Sequence, residues 1–140
     1  MKTLIIPAAG LATRLRPISN NTSKCMVAVN GRPIISYILD TVGALYDQIV
    51  IVHGANTDVV QFCTRQYPGL SLSFVKQHQA LGPLHAVWCA LESINETTGP
   101  VTIWLGDTIV TDYTPGSKSE VVAAAVPDWS RWCLISPDGT

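Results

Sequence analysis

The sequence predicts an α/β fold in which a mainly parallel sheet is flanked by helices. Three short runs, at residues 4–6, 48–53 and 101–105, consist mainly of apolar and β-branched residues. Such runs are typical of strands that are buried on both faces. The segments between them carry apolar residues at helical spacing, and Pro-Gly or Gly-Pro pairs break the chain between elements. This alternation favours parallel strands joined by right-handed crossovers, which is a Rossmann-like arrangement.

In chain order we expect a strand at 4–6, a helix at 33–45, a strand at 48–53 and a helix ending near 67. Asn56 or Thr57 is a suitable cap for that second helix. A strand at 70–76, a helix at 83–94 and a strand at 101–105 should follow. The residues of the third helix expected to face the sheet are Leu84, Val87, Trp88 and Leu91.

The last third of the chain is less regular. Residues 112–119 are a polar connection, and strands are expected at 121–126 and 132–136. Pro137-Asp138-Gly139 has hairpin-turn chemistry with nothing after it to pair. We therefore interpret residues 1–140 as one incomplete domain whose sheet is truncated at the C-terminus.

Composition limits the classes of function. The chain has a net charge of −1 and only 14% charged residues, which argues against a nucleic-acid binder with a basic face. The four cysteines include no C-x-x-C pair, so a structural zinc site is not expected, and a reducing, cytoplasmic setting is favoured. No apolar run approaches the roughly 20 residues that a membrane span needs.

The most informative stretch is residues 7–17, P-A-A-G-L-A-T-R-L-R-P, directly after the first strand. Open α/β sheets bind ligands where their strands end. The small residues Ala8, Ala9 and Gly10 would let a base or phosphate approach the backbone N–H groups. Arg14 and Arg16 add planar cations suited to phosphate oxygens. The spacing matches neither a Walker loop nor a dinucleotide-binding loop.

A second stretch follows at residues 23–34 and reads S-K-C-M-V-A-V-N-G-R-P-I. Together with residues 7–17, it resembles the N-terminal signature of the sugar-1-phosphate nucleotidylyltransferases. That signature reads roughly G-x-G-T-R-L-x-P and then P-K-x-M-x-P-V-x-G-K-P. The sequence departs from it at Ala12, Ser23, Ala28 and Arg32. Because Ala12 replaces a glycine, we expect its φ to be negative.

The resemblance implies a nucleotide site whose catalytic cations are Arg14 and Lys24, both contacting phosphate. Leu105-Gly106-Asp107 is similar to the family's L-G-D, so Asp107 is expected to hold Mg²⁺. The nucleotide-binding loop residues implied by the match are Ala8, Ala9, Gly10, Leu11 and Thr13.

Gln77 and Gly82, which precede the third helix, look like the family's base-reading segment. A side-chain amide both donates and accepts, so this match does not identify the base. Gln79 is an alternative at a different register. His85, on the following helix, is interpreted as structural or as lying near the sugar.

The function implied by the resemblance is transfer of a nucleotidyl group from a nucleoside triphosphate to a sugar-1-phosphate, with Mg²⁺ as cofactor. The implied role is nucleotide-sugar supply for polysaccharide biosynthesis, with no nucleic-acid or membrane partner, and a homo-oligomer stays open. Three alternatives remain: a nucleotide-binding module without turnover, an interaction domain without a ligand, and a cytidylyltransferase acting on phosphocholine or another alcohol phosphate. The acceptor pocket that would decide between acceptors is not matched by these residues.

Overall fold

The computed structural model of the chain describes residues 1–10, 12, 15–17, 21–94, 99–116 and 119–122. Single 3-10 turns lie at Lys24–Met26 and Gly43–Leu45. In chain order, the strands and helices are β1 (Thr3–Pro7), β2 (Ala28–Val29), β3 (Arg32–Pro33), α1 (Ile34–Val42), β4 (Gln48–His53), α2 (Asp58–Gln66), β5 (Leu72–Lys76), α3 (Pro83–Ser93) and β6 (Val101–Ile103).

The main sheet has four strands in the order β5-β4-β1-β6, and every neighbouring pair is parallel. β2 and β3 form a separate small antiparallel pair. The predicted α/β class is therefore confirmed. The central position of β1 explains its composition: Leu4, Ile5 and Ile6 have no exposed surface, because strands lie on both edges and helices on both faces.

Helices cover the sheet on both sides. α1 and α2 pack on the face that carries Leu4, Ile6, Ile49 and Ile51. α3 packs on the opposite face, which carries Ile5, Val50 and Val52. The two cores therefore alternate along β1 and β4, as the two-residue period of a strand requires.

The predicted inward face of α3 is wrong in three of its four positions. Val87 is buried, but Leu84 is 82% exposed, Trp88 62% and Leu91 40%. The residues that contact the sheet beside Val87 are Ala86 and Ala90. The helix carries two apolar stripes at helical spacing, and the stripe with the smaller residues lets its backbone approach the sheet more closely.

Other predicted features have mixed outcomes. The Asn56 carboxamide oxygen accepts a bond from the backbone N–H of Asp58 at 3.2 Å, whereas the Thr57 side chain makes no capping bond. The expected strand at 132–136 lies outside the described residues, as does most of the strand at 121–126. Val121 and Val122, which are described, are exposed and not in a strand. Within the described part of the chain, no helix is long and apolar enough to cross a membrane.

The topology fixes where a ligand can bind. From β1 the chain passes through α1 to β4 and through α2 to β5, moving steadily in one direction across the sheet. From β5 it returns through α3 to β6 on the other side of β1. The strand order therefore reverses between β1 and β6, and open α/β sheets bind ligands at the carboxyl ends of the strands beside such a reversal.

A contact between two distant segments supports the turn that begins at Lys24. The Asp58 carboxylate, at the start of α2, accepts bonds from the Ser23 backbone N–H at 2.8 Å and from the Ser23 hydroxyl at 2.5 Å. Ser23 is buried, with 8% of its surface exposed. The turn that holds Lys24 is therefore tied to a helix on the α1–α2 face.

We predict that Asp58→Ala lowers the free energy of unfolding by about 1.5–3 kcal/mol, because two donors on buried Ser23 lose a charged acceptor. Urea titration at constant m value would measure the loss. The control is Asp112→Ala, because Asp112 is exposed and its hydrogen bond comes from the adjacent Thr111 hydroxyl at 3.4 Å. An equal loss in both variants would contradict this role of Asp58.

Burial of Cys63 predicts a pH dependence of stability. The side chain has no exposed surface, and burial raises the pKa of its thiol from 9.0 to about 12. Below the unfolded-state pKa the thiol is protonated in both states, so its stabilising effect is fully present. It is lost as pH rises toward the folded-state pKa. The free energy of unfolding should therefore fall from about pH 9 toward 12, and less steeply in Cys63→Ala. Parallel slopes in urea titrations across this range would contradict the assignment.

Candidate active site

A cleft of about 720 Å³ lies at the carboxyl ends of β1, β5 and β6. Its walls come from the loop after β1, the turn at Lys24–Met26, the loop between β5 and α3, and the segment after β6. The cleft is lined by seven of the site residues that the sequence predicts: Ala8, Ala9, Gly10, Lys24, Gln77, Gly82 and Asp107. Leu11, Thr13 and Arg14 lie outside the described residues, and their roles stay predictions.

Small residues shape the floor of the cleft. The Ala8 N–H donates to the Val52 carbonyl at 2.8 Å, and the Gly106 N–H donates to the Pro7 carbonyl at 3.2 Å. A Cβ at Gly106 would lie 3.0 Å from the Pro7 oxygen and 3.2 Å from the Ala8 Cβ. Glycine is therefore needed where the segment after β6 crosses the end of β1, and this close approach brings Asp107 to the loop after β1.

The expectation for Ala12 is wrong. Its φ is +48°, in the left-handed region, where the family signature has glycine. The Leu15 N–H donates to the Ala12 carbonyl at 2.9 Å. An alanine there costs on the order of 1 kcal/mol relative to glycine.

An ion pair joins two walls of the cleft. The Lys24 ammonium contacts Oδ2 of Asp107, and the two residues are 83 positions apart in sequence. Their side chains are 42% and 32% exposed, so both groups remain accessible from the cleft. One cation and one carboxylate therefore lie side by side near the ends of β1 and β6.

The segment that carries Asp107 is held by Trp104, whose importance the sequence did not indicate. The indole N–H of Trp104 donates to the Thr108 carbonyl at 2.8 Å, across Asp107. The ring is 7% exposed and packs edge-on against Tyr113, with centroids 5.2 Å apart. A buried aromatic with a satisfied N–H fixes this short loop against the core.

Gln77 forms the opposite wall and is 7% exposed. Its backbone N–H donates to the His53 carbonyl at 2.9 Å. Its side-chain Nε2 lies 3.1 Å from the Gly82 carbonyl and 2.8 Å from Nδ1 of His85. Gly82 has φ +92°, which explains the glycine at this position. Gln79, the alternative register, is exposed and does not line the cleft.

Cys25 lies beside Lys24 and lines the cleft, but it does not suit nucleophilic chemistry. Burial, with the charge of Asp58 as the next cause, raises the pKa of the Cys25 thiol from 9.0 to about 12. The thiolate is the reactive form of cysteine, so this side chain stays protonated and inert near neutral pH. The polar groups of the cleft suit binding and charge stabilisation instead.

Comparison with known proteins identifies the family of the chain. Residues 4–128 match the model of the MobA-like NTP transferase domain. The chain is 34% identical over 141 residues to the bifunctional protein GlmU of Halorhodospira halophila, covering 96% of this chain and 28% of that protein. It is 30% identical over 142 residues to the UTP–glucose-1-phosphate uridylyltransferase of Bacillus subtilis, covering 84% of this chain and 48% of the relative.

Among solved structures, the chain is similar to the CTP:phosphocholine cytidylyltransferase LicC of Streptococcus pneumoniae. The TM-score is 0.60 and the identity 26%, covering 76% of this chain and 45% of that one. The chain thus spans about half the length, or less, of these relatives. The resemblance read from residues 7–17 and 23–34 is confirmed, and the chain belongs to the family of MobA-like NTP transferase domains.

Proposed function

We propose that the chain is the nucleotide-binding part of an enzyme that transfers a nucleotidyl group from a nucleoside triphosphate to a sugar-1-phosphate, giving a nucleotide sugar and pyrophosphate. The observation that carries the proposal is the Lys24–Asp107 pair beside the loop after β1, at the reversal of strand order. The similarity to the UTP–glucose-1-phosphate uridylyltransferase of Bacillus subtilis supports this acceptor class.

The roles follow from the chemistry of each group. The backbone of Ala8, Ala9 and Gly10 would border the nucleotide, because their small side chains leave room for a close approach. Gln77 and Gly82 would contact the base edge. Arg14 and Lys24 would bind the triphosphate, since two phosphate groups approach each other only when cations offset their repulsion.

Asp107 has the donor chemistry for a magnesium ion that arrives with a triphosphate. Mg²⁺ prefers one or two carboxylates completed by substrate phosphates and water. Asp107 is accessible from the cleft and already contacts one cation, the Lys24 ammonium. In the described residues no group of three or more His, Cys, Asp or Glu could hold an ion by itself, and a site of this type does not require one. Bound Mg²⁺ would supply positive charge to phosphate oxygens.

The reaction implied is in-line attack of a sugar-1-phosphate oxygen on the α-phosphorus, with pyrophosphate leaving. The chain supplies no covalent intermediate in this scheme. Lys24 and Arg14 would offset charge on the transferring and leaving oxygens, and the turn held by Asp58 would keep Lys24 in place. Loss of one such electrostatic contact typically costs about 100- to 1,000-fold in rate.

Cytidylyl transfer to phosphocholine is the second candidate, and the structural similarity to LicC favours it.

Under the first candidate function, the nucleotide-sugar product would supply polysaccharide biosynthesis. We propose a cytoplasmic location, because Cys25, Cys63 and Cys89 are free thiols and the cytoplasm keeps thiols reduced.

The first test is a thermal-unfolding panel of the full chain with UTP, dTTP, CTP, GTP and ATP, with and without Mg²⁺. A nucleotide at about 100 times its Kd should stabilise the fold by about 2.7 kcal/mol. We predict that Asp107→Asn removes the part of the shift that depends on Mg²⁺, because an amide does not replace the carboxylate charge.

The matched control is Asp40→Asn, because Asp40 forms an exposed ion pair with Arg32 outside the cleft. Asp40→Asn should keep the Mg²⁺-dependent shift. If both variants keep it, Asp107 is not the metal ligand. If no nucleotide moves the midpoint of the cooperatively unfolding chain, the proposed function is overturned and an interaction domain is favoured. Binding of a nucleotide without pyrophosphate release in the presence of acceptor would indicate a module without turnover.

Removing either proposed phosphate-binding cation should weaken every nucleoside triphosphate to a similar extent. We expect Arg14→Ala and Lys24→Met each to raise the triphosphate Kd by about 10-fold or more, since a charge-assisted contact is lost. Controls of equal charge change are Arg32→Ala and Lys2→Met, because Arg32 pairs with Asp40 and Lys2 precedes β1 at the opposite edge of the sheet. Isothermal titration would measure the affinities, and equal losses in variants and controls would contradict the assignment.

A further inference from the structure

The side-chain amide of Gln77 is held in one orientation by two acceptors. Its nitrogen lies 3.1 Å from the Gly82 carbonyl oxygen and 2.8 Å from Nδ1 of His85. A carbonyl oxygen only accepts, so the group that faces Gly82 must be the NH₂. The second amide hydrogen then points to His85, whose Nδ1 must carry a lone pair and whose proton must lie on Nε2.

With both hydrogens used inside the protein, the amide offers one free group. No donor among the described residues contacts Oε1 of Gln77, although the residue lines the cleft. The Gly82 N–H likewise has no acceptor in the described part of the chain. The wall therefore presents to the cleft an acceptor on Gln77, a residue that is 7% exposed, and a donor on the exposed Gly82.

From this contact, and on the basis of the nucleotide site proposed above, we infer that His85 is a positioning residue that fixes Gln77 as an acceptor toward the base. A base that enters edge-first places the centre of its Watson–Crick edge deepest, against Gln77, and a flanking group against Gly82. Uracil and thymine have an N–H at that centre and a carbonyl beside it. Cytosine has a lone pair at that centre, so its contact with the Gln77 oxygen would be mismatched, and the contact with Gly82 would be mismatched too when the C4 amino group takes the flanking position.

His85 thereby selects UTP or dTTP over CTP. If the Gln77 amide could flip by about 180°, its NH₂ would face the base and suit cytosine equally well. Discrimination between uracil and cytosine therefore depends on Nδ1 of His85, the acceptor that holds this NH₂. An unmade hydrogen bond at a buried group is costly, and we expect wild-type chain to bind UTP at least about 10-fold more tightly than CTP.

The test compares UTP and CTP affinities by isothermal titration, at one Mg²⁺ concentration, in four versions of the full chain. His85→Phe keeps a planar ring but has no acceptor, and should reduce the UTP/CTP ratio to within about 3-fold. His85→Asn places an oxygen near the position of Nδ1 and should retain the preference. The control is Cys89→Ala, because Cys89 Sγ lies 3.9 Å from the ring nitrogens of His85 and does not hold Gln77.

A second measurement needs no nucleotide. In chain labelled with ¹⁵N-glutamine, the side-chain amide signals of Gln77, identified by their loss in Gln77→Ala, should exchange slowly with solvent. Exchange should accelerate in His85→Phe and not in His85→Asn or Cys89→Ala.

The outcomes separate the inference from the proposed function. A wild-type chain that binds both nucleotides equally, or prefers CTP, overturns the role of His85 in base selection and leaves the nucleotide site intact. If His85→Phe weakens UTP and CTP binding equally, so that the UTP/CTP ratio is unchanged, His85 has a merely structural role and its role in base selection is overturned too. If neither nucleotide binds any version, the proposed function fails, and base selection with it. Unchanged amide exchange in His85→Phe would overturn the contact itself.

Discussion

All four strands of the main sheet run in the same direction, and most of the molecule's arrangement depends on that constraint. Parallel strands place their carboxyl ends at one edge, so residues that follow different strands meet there although they are far apart in sequence. Ala8 follows β1, Gln77 follows β5 and Asp107 comes after β6. The reversal of strand order beside β1 opens the space between them.

This constraint also explains what could be predicted from sequence. Apolar runs identified β1 and β4 because both are buried on two faces, and small or charged residues directly after a strand could be assigned to the cleft from topology alone. Ala8 and Asp107 lie together as this reasoning expects, and Lys24, which the family resemblance implies, lies beside them. Arg14, the expected strand at 132–136 and most of the one at 121–126 lie outside the described residues, so their prediction stands on sequence only.

The features that sequence did not reveal depend on contacts between elements. The sequence pattern favours the stripe of large apolar residues on α3, whereas Ala86 and Ala90 face the sheet because close helix–sheet packing prefers small side chains. Ala12 has a left-handed φ that alanine disfavours, and the role of His85 depends on its distance to Gln77. The sequence pattern does not contain the first and the last of these kinds of information, because the face of α3 depends on packing against the sheet and the His85 contact on how the loop before α3 folds.

The central place of β1 also bears on the order in which the chain can fold. β1 is synthesised first, yet its parallel partners begin at Gln48 and Val101. Pairings between distant segments form slowly, and an unpaired apolar strand is exposed to misassembly during that time. On the ribosome, the strand that carries the first loop of the cleft must therefore wait for β6, and the cleft becomes complete only after the residues around Asp107 have emerged.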